Sequence, residues 1–452
     1  MSTPAVDWSL LYTAFNHLEP IPPERLGDWY VPRPGRPAEQ PAKRLEVLLD
    51  PRKPPQRLLL VGHRASGKST ELTYLAQQLK AQYFVVRIRL SDLLLDVEKT
   101  NPLEVLFMIG VVIHQAAEQT LGAIDHTPLE QLKGIVEQTV RAHTGNAQFS
   151  IDLSRLLSAV AGWLMPPARP LLDLITPGFT LGLDLELMRT PAVDRDLERA
   201  TEALNHLIRV VERSVGQSLL LIVDDLDKSR QADTIRLNFV DKPYLGRIAC
   251  RAVYAAPIEI YYDLSQQGGR RHFEEVVPLS NVRLFEREDP ERKDREGFRF
   301  MREVIQKRLE RPGGPQGPSY TEEIVFTRGV INELIMASGG IVSDLIQLVR
   351  LAIVEAEMEG AGRIERKHAV RAIARLRQLY EAALTPSDRE LLKEVRRIHQ
   401  RPEGPRAEDL IRHNYLLSYL NDTLWFDAHP ILWPLLEAPR PSRPEGKTGD
   451  NG

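Results

Sequence analysis

The octapeptide GHRASGKS at residues 62–69 directly follows the apolar run LLLV at residues 58–61. No other stretch constrains the fold so tightly, because it meets the glycine-lysine-serine phosphate-loop pattern at every defined position and requires a buried strand before it and a helix after it. The strand is expected to end at Val61 and the helix to open at about Lys68, running on through ELTYLAQQLK. Between them, the backbone N–H groups of His63, Arg64, Ala65 and Ser66 would cradle nucleotide phosphates. Gly62 and Gly67 permit backbone angles and a close approach that a Cβ would forbid. Lys68 would carry charge to the β- and γ-phosphates, Ser69 would ligate Mg²⁺ through its hydroxyl, and Thr70 completes the candidate nucleotide contacts.

A second motif supports the first. Residues 219–223 (LLLIV) are again continuously apolar and end in Asp224-Asp225-Leu226-Asp227, as a central parallel strand does when it delivers carboxylates to the carboxyl edge of a sheet. In this Walker B pattern Asp224 is placed to hold Mg²⁺ beside Ser69. Asp227 fits the N-cap of the following turn as well as any catalytic task.

Composition excludes several other classes. A net charge of -3 over 452 residues argues against a basic nucleic-acid coat. A single cysteine, Cys250, rules out an internal disulfide framework or a cysteine-cluster zinc site and fits a reducing cytoplasm; we read it as a small core residue. No zinc-ligand spacing is visible among the eleven histidines. The amino terminus lacks the charged-then-apolar build of a secretion signal. The apolar stretch at 151–188 is interrupted by Pro166, Pro167, Arg169, Pro170, Asp173 and Pro177, well short of the ~20 uninterrupted apolar residues that a membrane span needs.

These signals divide the chain. Residues 1–56 form an N-terminal segment leading into the nucleotide site, and 57–282 a nucleotide-binding core with strands expected at 83–90 and 247–256 and a helix at 194–213. About 155 residues separate Lys68 from Asp224, so an insert is placed at about 115–190. Residues 283–384 are read as a helical lid. It begins with a solvated helix in the charge-dense stretch 283–311, where ten basic residues face eight acidic ones. Further helices follow at 321–337, 341–356 and 366–384. Residues 385–437 run helix, helix, hairpin, the order of a winged-helix module, and 438–452 have the composition of a disordered tail. Arg363, Lys367, Arg371 and Arg375 recur every four residues as a basic stripe on one lid helix. Arg247 and Arg251 are read as surface ion-pair partners.

The string SGGIVSDLIQLVRLAIVEA at residues 338–356, together with the two motifs, resembles the lid of the origin-binding and STAND-type branches of the AAA-like (ASCE) P-loop ATPases. The resemblance spans roughly residues 29–384 and is specific at 62–69 and 219–227. It implies a three-layer α/β/α P-loop NTPase sheet with a helical lid, binding ATP and Mg²⁺ and changing conformation with nucleotide state. It also implies that Tyr30 and Val31, just ahead of the loop, lie along the adenine. Asp225 stands where many such ATPases carry a glutamate that orients the attacking water; an aspartate reaches less far, so hydrolysis is expected to be slow or partner-stimulated. Two features depart from the group. The strand after Walker B ends in Ala255-Ala256-Pro257 where a polar γ-phosphate sensor is usual, and Ser343-Asp344 stand where the origin-binding branch carries an arginine.

The expectation is therefore a cytoplasmic ATPase acting as a nucleotide-dependent regulatory switch, with bacterial stress response or defence as a fitting setting. A protein partner would be engaged through the insert or the winged module, and a homo-oligomer fits the same class. The alternatives are a DNA-associated loader or transposition-type ATPase using the winged module, and a nucleotide-binding scaffold with negligible turnover.

Overall fold

The computed structural model describes residues 6–35, 40–94, 100–164, 180–183, 187–228, 232–242, 244–266, 272–289, 292–420 and 423–437. The apolar runs form the centre of a five-stranded parallel sheet made of β1 (Arg57–Gly62), β2 (Phe84–Arg89), β3 (Leu219–Asp224), β4 (Arg251–Pro257) and β5 (Glu275–Leu279). The order across the sheet is β2-β3-β4-β1-β5. Successive side chains point to opposite faces, so each run feeds two cores. Leu58, Leu60, Leu220, Ile222 and Val253 join one cluster, while Leu59, Val61, Leu221, Val223 and Tyr254 join the other. Helices cover both faces, which makes the fold a three-layer α/β/α P-loop NTPase fold.

In chain order the helices of the N-terminal segment and core are α1 (Trp8–Ala14), α2 (Pro41–Leu48), α3 (Lys68–Leu79), α4 (Pro102–Leu121), α5 (Thr127–Thr144), α6 (Leu153–Leu164), α7 (Pro191–Val215) and α8 (Glu259–Gln266). Asn101 and Glu104 close a capping box at the start of α4, satisfying two orphan N–H groups that an uncapped helix would leave. This helix runs on through Gln115 to Leu121 and is buried on nearly every side, because α5, α6 and α7 pack around it. The apolar character of 151–188 thus finds part of its explanation in α6, which packs on α4; residues 165–179 lie outside the described set. Among the described residues no helix is long and apolar enough to cross a membrane.

Two expected elements and one residue role differ. The strand expected at 247–256 starts only at Arg251, because the Asn205 carboxamide takes the backbone of the preceding turn, donating to Arg247 O (3.0 Å) and accepting from Ala249 N (2.7 Å). Arg251 is buried rather than a surface ion-pair partner; it donates to Pro51 O and Lys53 O and lies over the Tyr83 ring. The helix expected at 321–337 breaks into Glu322–Val325 and a second piece, since Phe326 leaves to bridge Ile364.

The lid comprises α9 (Arg295–Glu310), α10 (Val330–Ala337), α11 (Val342–Met358) and α12 (Arg366–Glu381). The charge-dense stretch is not a solvated helix throughout. Its helix begins only at Arg295 and buries Phe300, Met301, Val304, Ile305, Leu309 and even Arg308. Thr385 caps α13 (Pro386–Ile398) with a capping box, α14 (Pro405–Arg412) follows, and β6 (Leu416–Leu420) pairs antiparallel with β7 (Leu424–Ala428) as the expected hairpin. Its Asn421-Asp422 turn and the tail 438–452 lie outside the described residues.

Candidate nucleotide site

β1 ends at Gly62 and α3 opens at Lys68, so the loop between them sits at the carboxyl edge of the sheet. Both glycines are required there. A Cβ on Gly62 would lie 2.6 Å from Leu279 O on the neighbouring strand, and Gly67 holds φ at +102° as the cap of α3. Lys68 is buried at 4% exposure, its Nζ donating to Gly62 O and His63 O at 2.8 Å each. Its third partner is Asp227 Oδ2, at 2.8 Å. The carboxylate that the sequence suited to a cap thus engages the loop lysine.

Register places Asp224 at the end of β3, opposite Arg89 of β2. Asp224 is fully buried; the Ser69 hydroxyl is near enough to favour its charged form, and Arg87 Nη2 lies 3.4 Å from its Oδ2. The structure therefore brings the loop serine and the Walker B aspartate together across about 155 residues of sequence. Burial, and next the charge of Asp225, push the Asp224 carboxyl above its ordinary range. Asp225 adopts φ +72° and turns its carboxylate toward Ser91, which donates to it, and Lys228, whose Nζ stands at 3.0 Å. One oxygen from each of Asp224, Asp225 and Asp227 lies within 4.8 Å of the others. Crowded carboxylates beside a hydroxyl suit a hard divalent cation, so this donor set fits Mg²⁺.

The fold is that of a P-loop nucleotide-binding protein.

A cavity of about 370 Å³ opens over the P-loop, between the N-terminal segment and the lid. Gly67, Lys68, Ser69 and Thr70 line its polar end, while Ile21, Val31, Phe300, Val304 and Ile346 supply apolar wall. Tyr30 lies in the same wall, stacked on Tyr74 with centroids 4.1 Å apart, and its hydroxyl donates to Glu71 Oε2 (3.3 Å). Three participants have roles that the motifs do not give. Arg33 donates to Ser66 O and pairs with Glu71 at 3.8 Å, so the N-terminal segment pins the P-loop. Asp227 holds Lys68, as described. Arg308 of α9 lines the cavity, donates to Val304 O (3.0 Å), and has its guanidinium lowered to about 10 by burial alone. Ser343 also lines the cavity, where its hydroxyl donates to His17 O (3.1 Å). A larger cavity, about 520 Å³, lies beyond Arg33 and contains no P-loop residue among its lining.

The terminal module sits directly on the P-loop. Ser418 N of β6 donates to His63 Nε2 at 3.0 Å, with Ser418 Oγ 2.8 Å from the same nitrogen, and Asn414 Nδ2 donates to Arg64 O at 3.0 Å. Burial, then the charge of Lys68, lowers the His63 imidazole to about 3, so it is neutral and accepts through Nε2. On the lid side, Asp344 receives the Tyr380 hydroxyl (2.8 Å) and lies 3.2 Å from His429 Nε2. The position that carries an arginine in the resembled branch here lies in a lid-to-module contact. The basic stripe is neutralised internally, with Lys367 and Arg371 on Glu359 and Arg375 on Glu355. Arg363 donates to Phe326 O at 2.7 Å.

No protein-family model and no curated protein matches the sequence. Among solved structures, Cdc6p from Pyrobaculum aerophilum aligns at 14% identity with a TM-score of 0.37, covering 96% of this chain and 96% of that one. The Aeropyrum pernix ORC1 protein, solved in complex with DNA, aligns at 13% identity and TM-score 0.38 over 95% of this chain and 96% of its own. Drosophila ORC bound to DNA gives 13% identity and TM-score 0.39 over 96% and 93%. The assignment of the P-loop fold rests on strand order and loop geometry.

Proposed function

We propose that the chain binds ATP with Mg²⁺ and hydrolyses it slowly, as a cytoplasmic regulatory switch whose output is the seating of the terminal module. One observation carries this reading: Ser418 of β6 and Asn414 just ahead of it rest on His63 and Arg64, two residues of the loop that would bind the phosphates. Ligand and module then compete for, or jointly fix, one short piece of backbone. Phosphate oxygens would take the loop N–H groups and replace Asp227 as the partner of Lys68. Ser69 and Asp224 would hold Mg²⁺, which when bound neutralises charge between phosphates and carboxylates. Asp225 would position water, and its engagement with Ser91 and Lys228 supports slow turnover. Tyr30 and Val31 are proposed to flank the base. A protein partner would meet the insert or the module, with self-association a further arm of the reading.

The cations of α14 speak against the DNA-loader alternative. Arg406 is bound to Asp388 through two hydrogen bonds of 2.7 Å, and Arg412 to Glu259 at 3.1 Å. The test combines turnover with distance measurement. Purified protein should hydrolyse ATP slowly and indifferently to DNA, and paired labels on α3 and α14 should change separation when ATP is added. A label distance blind to nucleotide would sink the switch. Turnover stimulated by DNA, with a steep salt dependence, would favour the loader; ATP retained without turnover would favour the scaffold.

A further inference from the structure

At the joint between α4 and α5, three side chains converge that no motif connects. His114 and Glu118 stand four residues apart on α4 and so share a face, and His126 lies just before α5 after a short connection. His114 Nε2 and His126 Nδ1 are 2.9 Å apart, and Glu118 Oε1 is 3.5 Å from His126 Nε2. One ligand atom from each lies within 4.8 Å of the others. His114 is fully buried, and its Nδ1 has no hydrogen-bond partner. Glu118 and His126 open toward solvent, with side-chain exposures of 29% and 52%.

We propose that this triad binds a zinc ion. Bonds of about 2.0–2.1 Å to a tetrahedral centre put neighbouring ligand atoms roughly 3.3 Å apart; the 2.9 Å between His114 Nε2 and His126 Nδ1 is close to that edge, and one ligand atom from each of the three residues lies within 4.8 Å of the others. Two imidazoles and one carboxylate are a recurrent zinc ligand set with a fourth position left for water, and here that position faces solvent. Two neutral imidazole nitrogens facing each other share a single proton in place of the cation, which then moves to a ring's other nitrogen on metal binding. The ion would clip the α4–α5 hairpin shut. It lies inside the region between the two nucleotide motifs, at the joint of two packed helices, and its role is structural.

The test uses the full chain, stripped of metal by chelator and titrated with Co²⁺ and then Zn²⁺. The expected result is one equivalent of Co²⁺ giving the strong visible absorption of a four-coordinate site, displaced by Zn²⁺ with a Kd of about 1 μM or tighter. His126→Asn and Glu118→Gln, both at solvent-facing positions, should each weaken binding at least tenfold while the far-ultraviolet circular dichroism stays unchanged. Asp224→Asn should leave the Co²⁺ spectrum intact, which separates this site from the Mg²⁺ donor set. Absence of a four-coordinate spectrum, affinity weaker than about 1 mM, or binding that survives both substitutions would overturn the proposal.

Discussion

At the residue scale, the phosphate-binding lysine is already occupied. Asp227 and two loop carbonyls satisfy Lys68 in a site where both charged side chains are at most 10% exposed, so an incoming phosphate must replace a buried ion pair rather than fill open space. Removing that competitor should help the ligand. Asp227→Asn is expected to tighten Mg²⁺-free ADP binding by roughly tenfold, about 1.4 kcal/mol, measured calorimetrically in chelator; weaker binding would show that Asp227 serves the ligand instead. Arg33 has the opposite role. It pairs with Glu71 where both are nearly inaccessible, and breaking a buried pair strands its partner at a cost of about 3–5 kcal/mol. Arg33→Ala should therefore lower the denaturation midpoint of the core, with Glu71→Gln on the same chain restoring part of the loss. An unshifted midpoint would mean the pair contributes nothing net. Neither role was legible in the sequence, because each acts across a tertiary contact: Arg33 reaches Ser66 over thirty-three positions, and Asp227 reads equally as a cap or a catalytic group until the sheet puts it beside Lys68.

At the scale of elements, legibility followed the physics of burial. The strands bearing the two motifs were readable because parallel central strands are buried on both faces and leave continuous apolar runs. The helices of the terminal module were readable from capping residues such as Thr385. Breaks imposed by neighbours were not: Asn205 shortens β4 from outside, and Phe326 abandons its helix for Ile364. The hairpin hides a further feature in Asp427 of β7. Burial raises its carboxyl from 3.8 to about 7, with Arg396 at 3.5 Å and the backbone N–H of Ala428 offsetting only part of the cost. Its folded value lies above the unfolded one, so the hairpin binds the proton more tightly when folded. The associated stability is complete below about pH 4 and is lost as the pH rises through 7, at most about 4 kcal/mol at 1.36 kcal/mol per unit. Raising the pH from 6.5 to 8 should accelerate hydrogen exchange in β6 and β7 of the wild type more than in Asp427→Asn. Identical profiles in the two proteins would remove Asp427 as the cause.

Across the whole molecule, the terminal module meets the P-loop through a small set of side chains among the described residues. Ser418 and Asn414 supply the hydrogen bonds to His63 and Arg64, whereas Arg412 meets Glu259 of α8 and touches no loop backbone. If nucleotide state reaches the module through the loop, the first pair carries the coupling and the second only adds affinity. Coupling is reciprocal: whatever ATP does to module seating, seating must do to ATP affinity. The Ser418→Ala, Asn414→Ala double variant keeps the main-chain bond from Ser418 N but loses both side-chain contacts, so the module should sit more loosely. Its ATP affinity should shift by about fivefold to thirtyfold, roughly 1–2 kcal/mol and within the usual range of coupling energies, and the nucleotide-dependent change in label separation should shrink. Arg412→Gln should loosen the module without altering that nucleotide dependence. Should the double variant bind ATP as the wild type does while its module is visibly freed, loop and module are independent and the switch has another seat. Should both variants change ATP affinity equally, the coupling runs through the whole interface rather than through His63 and Arg64.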